Sequence, residues 1–434
     1  MPILFSDVTV VPMDGAPQVL EHAYVAVEGT KIASVGTEPP EGTFDRVVDG
    51  AGKVLLPGFV NAHSHVPMTA MRGYGDGNNL QDWLHNYIFP VEARWDDRAI
   101  RACTDLGLAE MIASGVTCVA DMYMHTGTIA EQILEAGISA NLSCGGVYFG
   151  APEDFSPETC GDCRNQAALT EEWHGAGAGQ ILVDASVHGE YTSNPPLWRW
   201  MAEYAAEHRL GMHVHVSETQ SEHQASLERW GKTPIQALDG GGVWDCGRSL
   251  AAHCVYTTEE DWALMAEKGI SCVHNPWSNL KLGSGVAPIP AMMRAGVNVA
   301  LGTDGMSSHN SADLFSDIKL AAVLHNGVER DPMAVSAWAA LEIATVNGAR
   351  ALGRDTGVIA PGKTADLILV DLSAPNLIPC HDPVEDLVFS AHGSNVEMNM
   401  ARGQVIYEKG SFLTLDLERV RWEVEHYALP LIFG

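Results

Sequence analysis

At 434 residues the chain is long enough for an α/β barrel with insertions to occupy most of it as one unit. Hydrophobic residues at 46% and charged residues at 18% exclude a disordered or fibrous chain. Twenty-five Lys and Arg against 55 Asp and Glu give a formal charge of -30, which argues against broad contact with nucleic acid phosphates or anionic lipid.

In chain order, Met1 to Gly15 has no basic n-region and carries Asp7 within its apolar stretch, so it does not read as a signal peptide. No apolar run reaches the roughly 18 residues that span a bilayer. Nine cysteines, mostly in apolar segments, suit reduced thiols, and the expected location is the cytoplasm. Cys160 and Cys163 make a lone C-x-x-C, too little to define a metal knuckle or redox pair. Residues 1–56 alternate β-rich runs (Val8–Val11, Ala23–Val27, Lys31–Val35, Lys53–Leu56) with Gly and Pro turns, and the same texture returns beyond 357 in Ala365–Val370 and Gly403–Tyr407. The expectation is a small β-sandwich domain built from both chain ends, residues 1–56 and 358–434.

Between them, over residues 57–357, apolar runs alternate with helical stretches, the pattern of parallel strands joined by helices. Eight strands are expected: Phe59–His65, Val116–Tyr123, Ile138–Val147, Ile181–His188, Gly211–Val216, Leu250–Val255, Ile270–His274 and Val297–Gly302. The fold class is α/β, a (β/α)8 TIM-type barrel, in which chemistry sits at the C-terminal strand ends. His63 and His65 end the first expected strand, His188 the fourth and His215 the fifth; His253 lies near the end of the sixth and Asp304 follows the eighth.

His63 and His65, two residues apart on a strand, share a face and offer two neutral nitrogen ligands of the kind zinc or another first-row divalent ion takes. In His213-Val214-His215-Val216-Ser217-Glu218, His215 is the better ligand, and His213 reads as a packed or supporting imidazole. Glu218, three residues beyond His215, suits general acid/base work beside a metal-bound water. His253, apolar on both sides at a strand end, is assigned a catalytic role; Asp304, held between glycines, is the natural last ligand. Three His and one Asp leave an open position for a reactive water.

The stretch Pro57-Gly58-Phe59-Val60-Asn61-Ala62-His63-Ser64-His65, with His215-Val216-Ser217-Glu218, Ala252-His253-Cys254, His274-Asn275-Pro276 and Gly302-Thr303-Asp304-Gly305, resembles the amidohydrolase superfamily. Within it the chain is most similar to the branch of 5'-methylthioadenosine/S-adenosylhomocysteine deaminases and related chlorohydrolases. The resemblance implies that His63, His65, His215 and Asp304 bind one divalent metal ion, zinc or iron. Glu218 would then shuttle protons, His253 orient or polarise the attacked group, and Asp304 also accept a proton from the attacking hydroxide. No lysine ends the fourth strand, where binuclear relatives carry a carboxylated one, so a single ion is implied.

Glu92 matches a glutamate that in the nucleoside-deaminating branch accepts hydrogen bonds from ribose hydroxyls; a carboxylate and a vicinal diol are complementary acceptors and donors. Trp83, on the same segment, is a candidate to cover an aromatic ring or else an ordinary core residue. His188 matches a histidine that contacts purine or sugar, although Gly189-Glu190-Tyr191 after it departs from the commoner Ser-Pro-Tyr. Arg164 is a candidate partner for a substrate carboxylate, and His309 stands where relatives commonly have Asn. The activity implied is hydrolytic deamination of an adenosine-type nucleoside (5'-methylthioadenosine, S-adenosylhomocysteine, 5'-deoxyadenosine or adenosine) to its inosine analogue and ammonia. An alternative keeps the metal chemistry but acts on a free base or heterocycle such as guanine, an oxidised purine, a pterin or an s-triazine. The expected partners are a small-molecule substrate and further copies of the chain, with neither nucleic acid nor membrane.

Overall fold

The apolar runs that alternate with turns near the N-terminus become β1 (Ile3–Val10), β2 (Leu20–Glu28), β3 (Lys31–Gly36), β4 (Arg46–Asp49) and β5 (Lys53–Pro57) in the computed structural model, which describes residues 2–434. Ten strands follow in the central segment: β6 (Phe59–His65), β7 (Val116–Met122), β8 (Ser139–Ser143), β9 (Ile181–Val183), β10 (Ala185–Gly189), β11 (Met212–Val216), β12 (Ser249–His253), β13 (Ile270–His274), β14 (Val299–Leu301) and β15 (Asp304–Gly305). Near the C-terminus lie β16 (Leu367–Asp371), β17 (Val396–Ala401), β18 (Gln404–Glu408) and β19 (Ser411–Phe412).

The two chain ends share one nine-stranded sheet, ordered β19-β18-β17-β16-β5-β1-β2-β3 with β4 on β1. Its seam is the antiparallel pair β5 and β16, from Leu367 opposite Pro57 to Asp371 opposite Lys53. Alternation along these strands buries Phe5, Val8, Val25, Val27, Leu55, Leu369 and Met398 in a core of their own. Strands β4, β17 and β19 lay outside the sequence expectation: two are very short, and β17, Val396-Glu397-Met398-Asn399-Met400-Ala401, mixes polar residues into its run. The last segment, Leu417–Phe433, is helical and lies along the helix Asp97–Ala113, tied by Arg98 to Glu423 at 2.9 Å and by Arg98 over the Tyr427 ring at 4.0 Å.

The central segment forms two five-stranded parallel sheets, β10-β11-β12-β13-β14 and β15-β6-β7-β8-β9. Each runs into the other along the chain: β9 passes into β10 across Asp184, and β14 into β15 across Gly302-Thr303. The expected fourth strand is therefore broken once, and the expected eighth is shortened to Val299–Leu301, with β15 beyond its expected end at Gly302. Gly302 is required there, since a Cβ would come within 2.9 Å of the His63 carbonyl oxygen and 2.5 Å of Asn275 Oδ1. Helices between the strands start on side-chain caps: Asp96 accepts from the Ala99 N–H, Thr219 from Glu222, and Thr258 forms a capping box with Asp261. Their apolar faces cover the sheets from outside, as Ile100, Leu108 and Ile112 do for Asp97–Ala113. Among the described residues no helix is long and apolar enough to cross a membrane.

Inside, Val60, Ala62, Cys118, Ala120, Leu250, Val273 and Ala300 meet Ala349, Ala351 and Leu352 of the helix Val346–Leu352, a plug of small side chains. On β6 the inward residues of this plug have even numbers, yet the histidines have odd ones. The register explains the switch. Asn61 faces Val119 and Ser64 faces Asp121, so three steps on β6 match two on β7, a bulge that turns His63 and His65 to the side Val60 and Ala62 occupied. Parallel pairing of β15 with β6 then sets Asp304 beside Ser64, between the two histidines.

Candidate active site

The strand ends bring His63, His65, His215, His253 and Asp304 together, buried or nearly so. Asp304 Oδ1 lies 3.3 Å from His63 Nε2 and 3.2 Å from His65 Nε2, and His65 Nε2 lies 3.3 Å from His215 Nε2. One donor atom each from His63, His215, His253 and Asp304 falls within 4.8 Å of every other. His253 thus joins the converging donors that sequence spacing had confined to His63, His65, His215 and Asp304.

Each imidazole has its other nitrogen occupied. His65 Nδ1 meets the Met122 carbonyl at 2.5 Å, His215 Nδ1 the His188 carbonyl at 2.7 Å, and His253 Nδ1 the Asn279 side-chain oxygen at 2.9 Å. Carbonyl oxygens only accept, so these Nδ1 atoms carry the proton and their Nε2 atoms face inward as lone pairs. His63 Nδ1 pairs with His213 Nε2 at 2.8 Å, which makes His213 the supporting imidazole its position suggested; His63 Nε2 is left buried without a hydrogen-bond partner. Asp304 Oδ2 accepts from Ser278 Oγ at 2.6 Å and Ser308 Oγ at 2.8 Å, freeing Oδ1 for the centre. Several lone pairs and a carboxylate oxygen aimed at one buried point, with no donor between them, fit a divalent cation.

Electrostatics point the same way for His63 and His215, whereas His65, beside the Asp304 carboxylate, holds a proton near pH 7 that a bound cation would replace. Burial pushes His63 down to about 4 and His215 well below its ordinary value, so both stay neutral near pH 7. Burial works against protonation of His65 as well, but the Asp304 carboxylate outweighs it and lifts His65 to about 9. Asp304 itself is held well below the usual carboxylate range; burial opposes this, and the contacts with His63 and His65 prevail. Ser217, His253, Cys254 and Asp304 all have left-handed backbone, with φ of 51°, 74°, 48° and 62°. Non-glycine residues take that conformation at a cost of about 1–3 kcal/mol each, and such strain collects at working sites.

Glu218 Oε2 stands 3.8 Å from His253 Nε2, and Ser284 Oγ donates to its other oxygen at 3.4 Å. Burial raises its pKa. The sharp backbone turn that carries it is held by Glu222, whose carboxylate accepts the Ser217 and Glu218 N–H groups at 2.7 Å each. Burial, with Glu218 close by, pushes Glu222 up to about 7.

These groups floor a cavity of about 410 Å³. Glu92 is in one wall, its Oε1 accepting from Tyr123 Oη at 2.7 Å; burial raises its pKa too. His188, lowered to about 4 by burial, is in another, with Nδ1 3.1 Å from Thr192 Oγ1. Trp83 lines the cavity with its indole N–H spent on the Tyr74 carbonyl at 3.3 Å, beside Leu80, Leu84, Ile88 and Phe89 of the same segment. Arg164 is not brought to the site: it is exposed and donates to the Glu158 carbonyl at 3.1 Å. His309 is turned away toward Asp317, 2.8 Å from Nε2. Glu190, in the segment that departs from the commoner Ser-Pro-Tyr, is buried and pairs with Arg229 and Trp230. Cys160 and Cys163 are free, buried thiols at the start of the helix Gly161–Trp173.

Sequence reasoning gave no role to Asn279, Ser278, Ser308, Tyr123 or Glu222. Glu222 had a readable signal, a second carboxylate one helical turn after Glu218. Asn279 and Ser278 follow closely on His274-Asn275-Pro276, but their direction depends on the turn after β13.

Parallel α/β architecture with histidines and an aspartate at the strand ends defines a class of metal-dependent hydrolases. The chain belongs to the amidohydrolase family, whose profile matches residues 54–406. It is 40% identical over 436 residues to a 5-methylthioadenosine/S-adenosylhomocysteine deaminase of Caldanaerobacter subterraneus subsp. tengcongensis, covering 100% of this chain and 99% of that one. It is 37% identical over 430 residues to a 5'-deoxyadenosine deaminase of Methanosarcina mazei, covering 99% and 98%. Among solved structures, an adenosine deaminase from Xanthomonas campestris with bound zinc superposes with a TM-score of 0.92 at 32% identity, covering 99% of this chain and 98% of that one.

Proposed function

We propose that this protein hydrolytically deaminates adenosine-type nucleosides at purine C6, giving the inosine analogue and ammonia. The observation that carries it is Glu92, a half-buried carboxylate fixed by Tyr123 in the wall of the same cavity that the Nε2 cluster floors. A carboxylate there suits the two hydroxyls of a ribose, and the names of the deaminase relatives agree with a nucleoside substrate.

We assign the metal to His63, His65, His215 and Asp304, with His253 beside it. The donor set suits zinc, which the Xanthomonas relative holds. A divalent ion bound there supplies Lewis acidity, bringing the pKa of a water toward neutrality. Glu218 takes a proton from the attacking water and delivers it to the purine ring as the water oxygen bonds to C6. The tetrahedral carbon then collapses: the C6–N6 bond breaks, N6 leaves as ammonia with a proton handed on by Glu218, and the oxygen stays as the inosine carbonyl. His253, its Nδ1 fixed by Asn279, steadies the attacking oxygen, and Asp304 accepts that oxygen's remaining proton, the one that passes through Glu218 to N6 and leaves with the ammonia. Trp83 and His188 bracket the nucleoside.

We further infer that the two parallel sheets close as one (β/α)8 barrel over residues 57–357 and that the sheet formed by 1–56 and 358–434 folds over its own core as a sandwich. Nine free thiols suit the reducing cytoplasm as its place of work. Glu92→Ala tests the substrate assignment. A lost ribose contact is expected to lower kcat/KM for 5'-methylthioadenosine by about 100-fold or more. An unchanged value would instead favour a free base or other heterocycle.

A further inference from the structure

With the purine at Glu218 and Asp304 and the ribose at Glu92, one part of the cavity without a role is the lining by Met124, Val147, Phe149, Cys144 and Asp162. Resting on the nucleoside assignment above, this wall receives the 5' substituent. Its chemistry is one-sided. No lysine or arginine lines the cavity, whereas four carboxylates do, Glu92, Asp162, Glu218 and Asp304, and its histidines lie with the metal-site cluster and at His188. Three cations are engaged elsewhere: Arg164 on the Glu158 carbonyl, Arg72 on Glu110, and Lys281 on Asp76 at 2.6 Å. Asp162 accepts the Val147 N–H at 2.8 Å, and its second oxygen takes no hydrogen bond from the described residues.

A methyl or methylthio group meets Met124, Val147 and Phe149 as apolar surface. An amino-acid tail meets the same wall differently. Its ammonium has Asp162, but its carboxylate meets no lysine or arginine and lies in the field of Asp162, so that it loses water without gaining a cationic partner. We propose that this cavity selects nucleosides with a neutral or cationic 5' substituent and discriminates against those bearing a carboxylate, with Asp162 as the specificity-determining residue.

The test compares kcat/KM of the metal-loaded protein for 5'-methylthioadenosine, S-adenosylhomocysteine and the decarboxylated form of the latter, which keeps the amine. The carboxylate-bearing nucleoside is expected to fall below both others by about 100-fold or more, and its inosine product to bind correspondingly more weakly than methylthioinosine. Equal turnover of S-adenosylhomocysteine and 5'-methylthioadenosine overturns the selectivity alone. Turnover of none of the three overturns the nucleoside assignment, and the selectivity falls with it. Asp162→Asn retains an acceptor for the Val147 N–H while removing the charge. It is expected to lower the ratio of aminopropyl to methyl substrate by about 10-fold. An equal loss on both substrates would make Asp162 a structural residue and overturn its assignment.

Discussion

At the scale of single residues the site is organised by which nitrogen of each histidine is already taken. Carbonyl oxygens of Met122 and His188 and the side chain of Asn279 hold three Nδ1 atoms, and His213 holds the fourth, so four Nε2 atoms are presented inward. Sequence showed the histidines and not these partners, because a backbone carbonyl has no residue type to read. Glu218→Gln removes the proton carrier and leaves the donors intact. It is expected to lower kcat by about 10²–10⁴-fold at unchanged metal content, measured by steady-state kinetics alongside elemental analysis. His215→Ala should instead reduce the metal content itself.

Among the elements, β6 and the turn after β11 decide most. The period of two that placed His63 and His65 on one face was legible from their spacing, but the bulge between Asn61 and Ser64 that turns them inward was not. It shows only against β7, a strand more than fifty residues away. Likewise the breaks at Asp184 and at Gly302-Thr303 lie where one parallel sheet passes into the other, a junction that local propensity does not register. On the turn after β11, Glu222 ties down the left-handed Ser217 and so aims Glu218. Glu222→Ala leaves two buried N–H groups without an acceptor, each costing about 1–3 kcal/mol. The expected outcome is a fall in kcat larger than any change in KM, with metal content retained. A change in KM alone would mean that Glu222 does not act through Glu218.

For the whole molecule, the floor opposite the active site is held by Asp184, buried where β9 passes into β10. It accepts from Asn141 at 2.8 Å, from the Gly211 N–H at 3.2 Å and from Arg248 Nη1 at 3.2 Å. Burial alone would raise its pKa; the Arg248 guanidinium, Asn141 and Arg354 outweigh burial and hold it below the ordinary value of 3.8. A depressed carboxylate contributes stability that is present above its unfolded pKa and lost as pH falls through the folded one. Asp184→Asn is therefore expected to destabilise the protein by about 3–5 kcal/mol at neutral pH by leaving Arg248 unpaired. The difference from wild type should shrink below pH 3.8, as followed by denaturant unfolding across pH. Sequence alternation foretold the shared terminal sheet and the central parallel strands. It could not foretell that Leu417–Phe433 would leave that sheet and pack on the helix Asp97–Ala113, because the segment's apolar stripe names no partner.

The central claim, that this cavity deaminates a nucleoside, is tested most directly by incubating the zinc-loaded protein with 5'-methylthioadenosine and separating the products. Methylthioinosine and ammonia in equal amounts, formed by the wild type and not by Glu218→Gln, are the predicted result. Unchanged nucleoside, or adenine released by cleavage of the glycosidic bond, would contradict it.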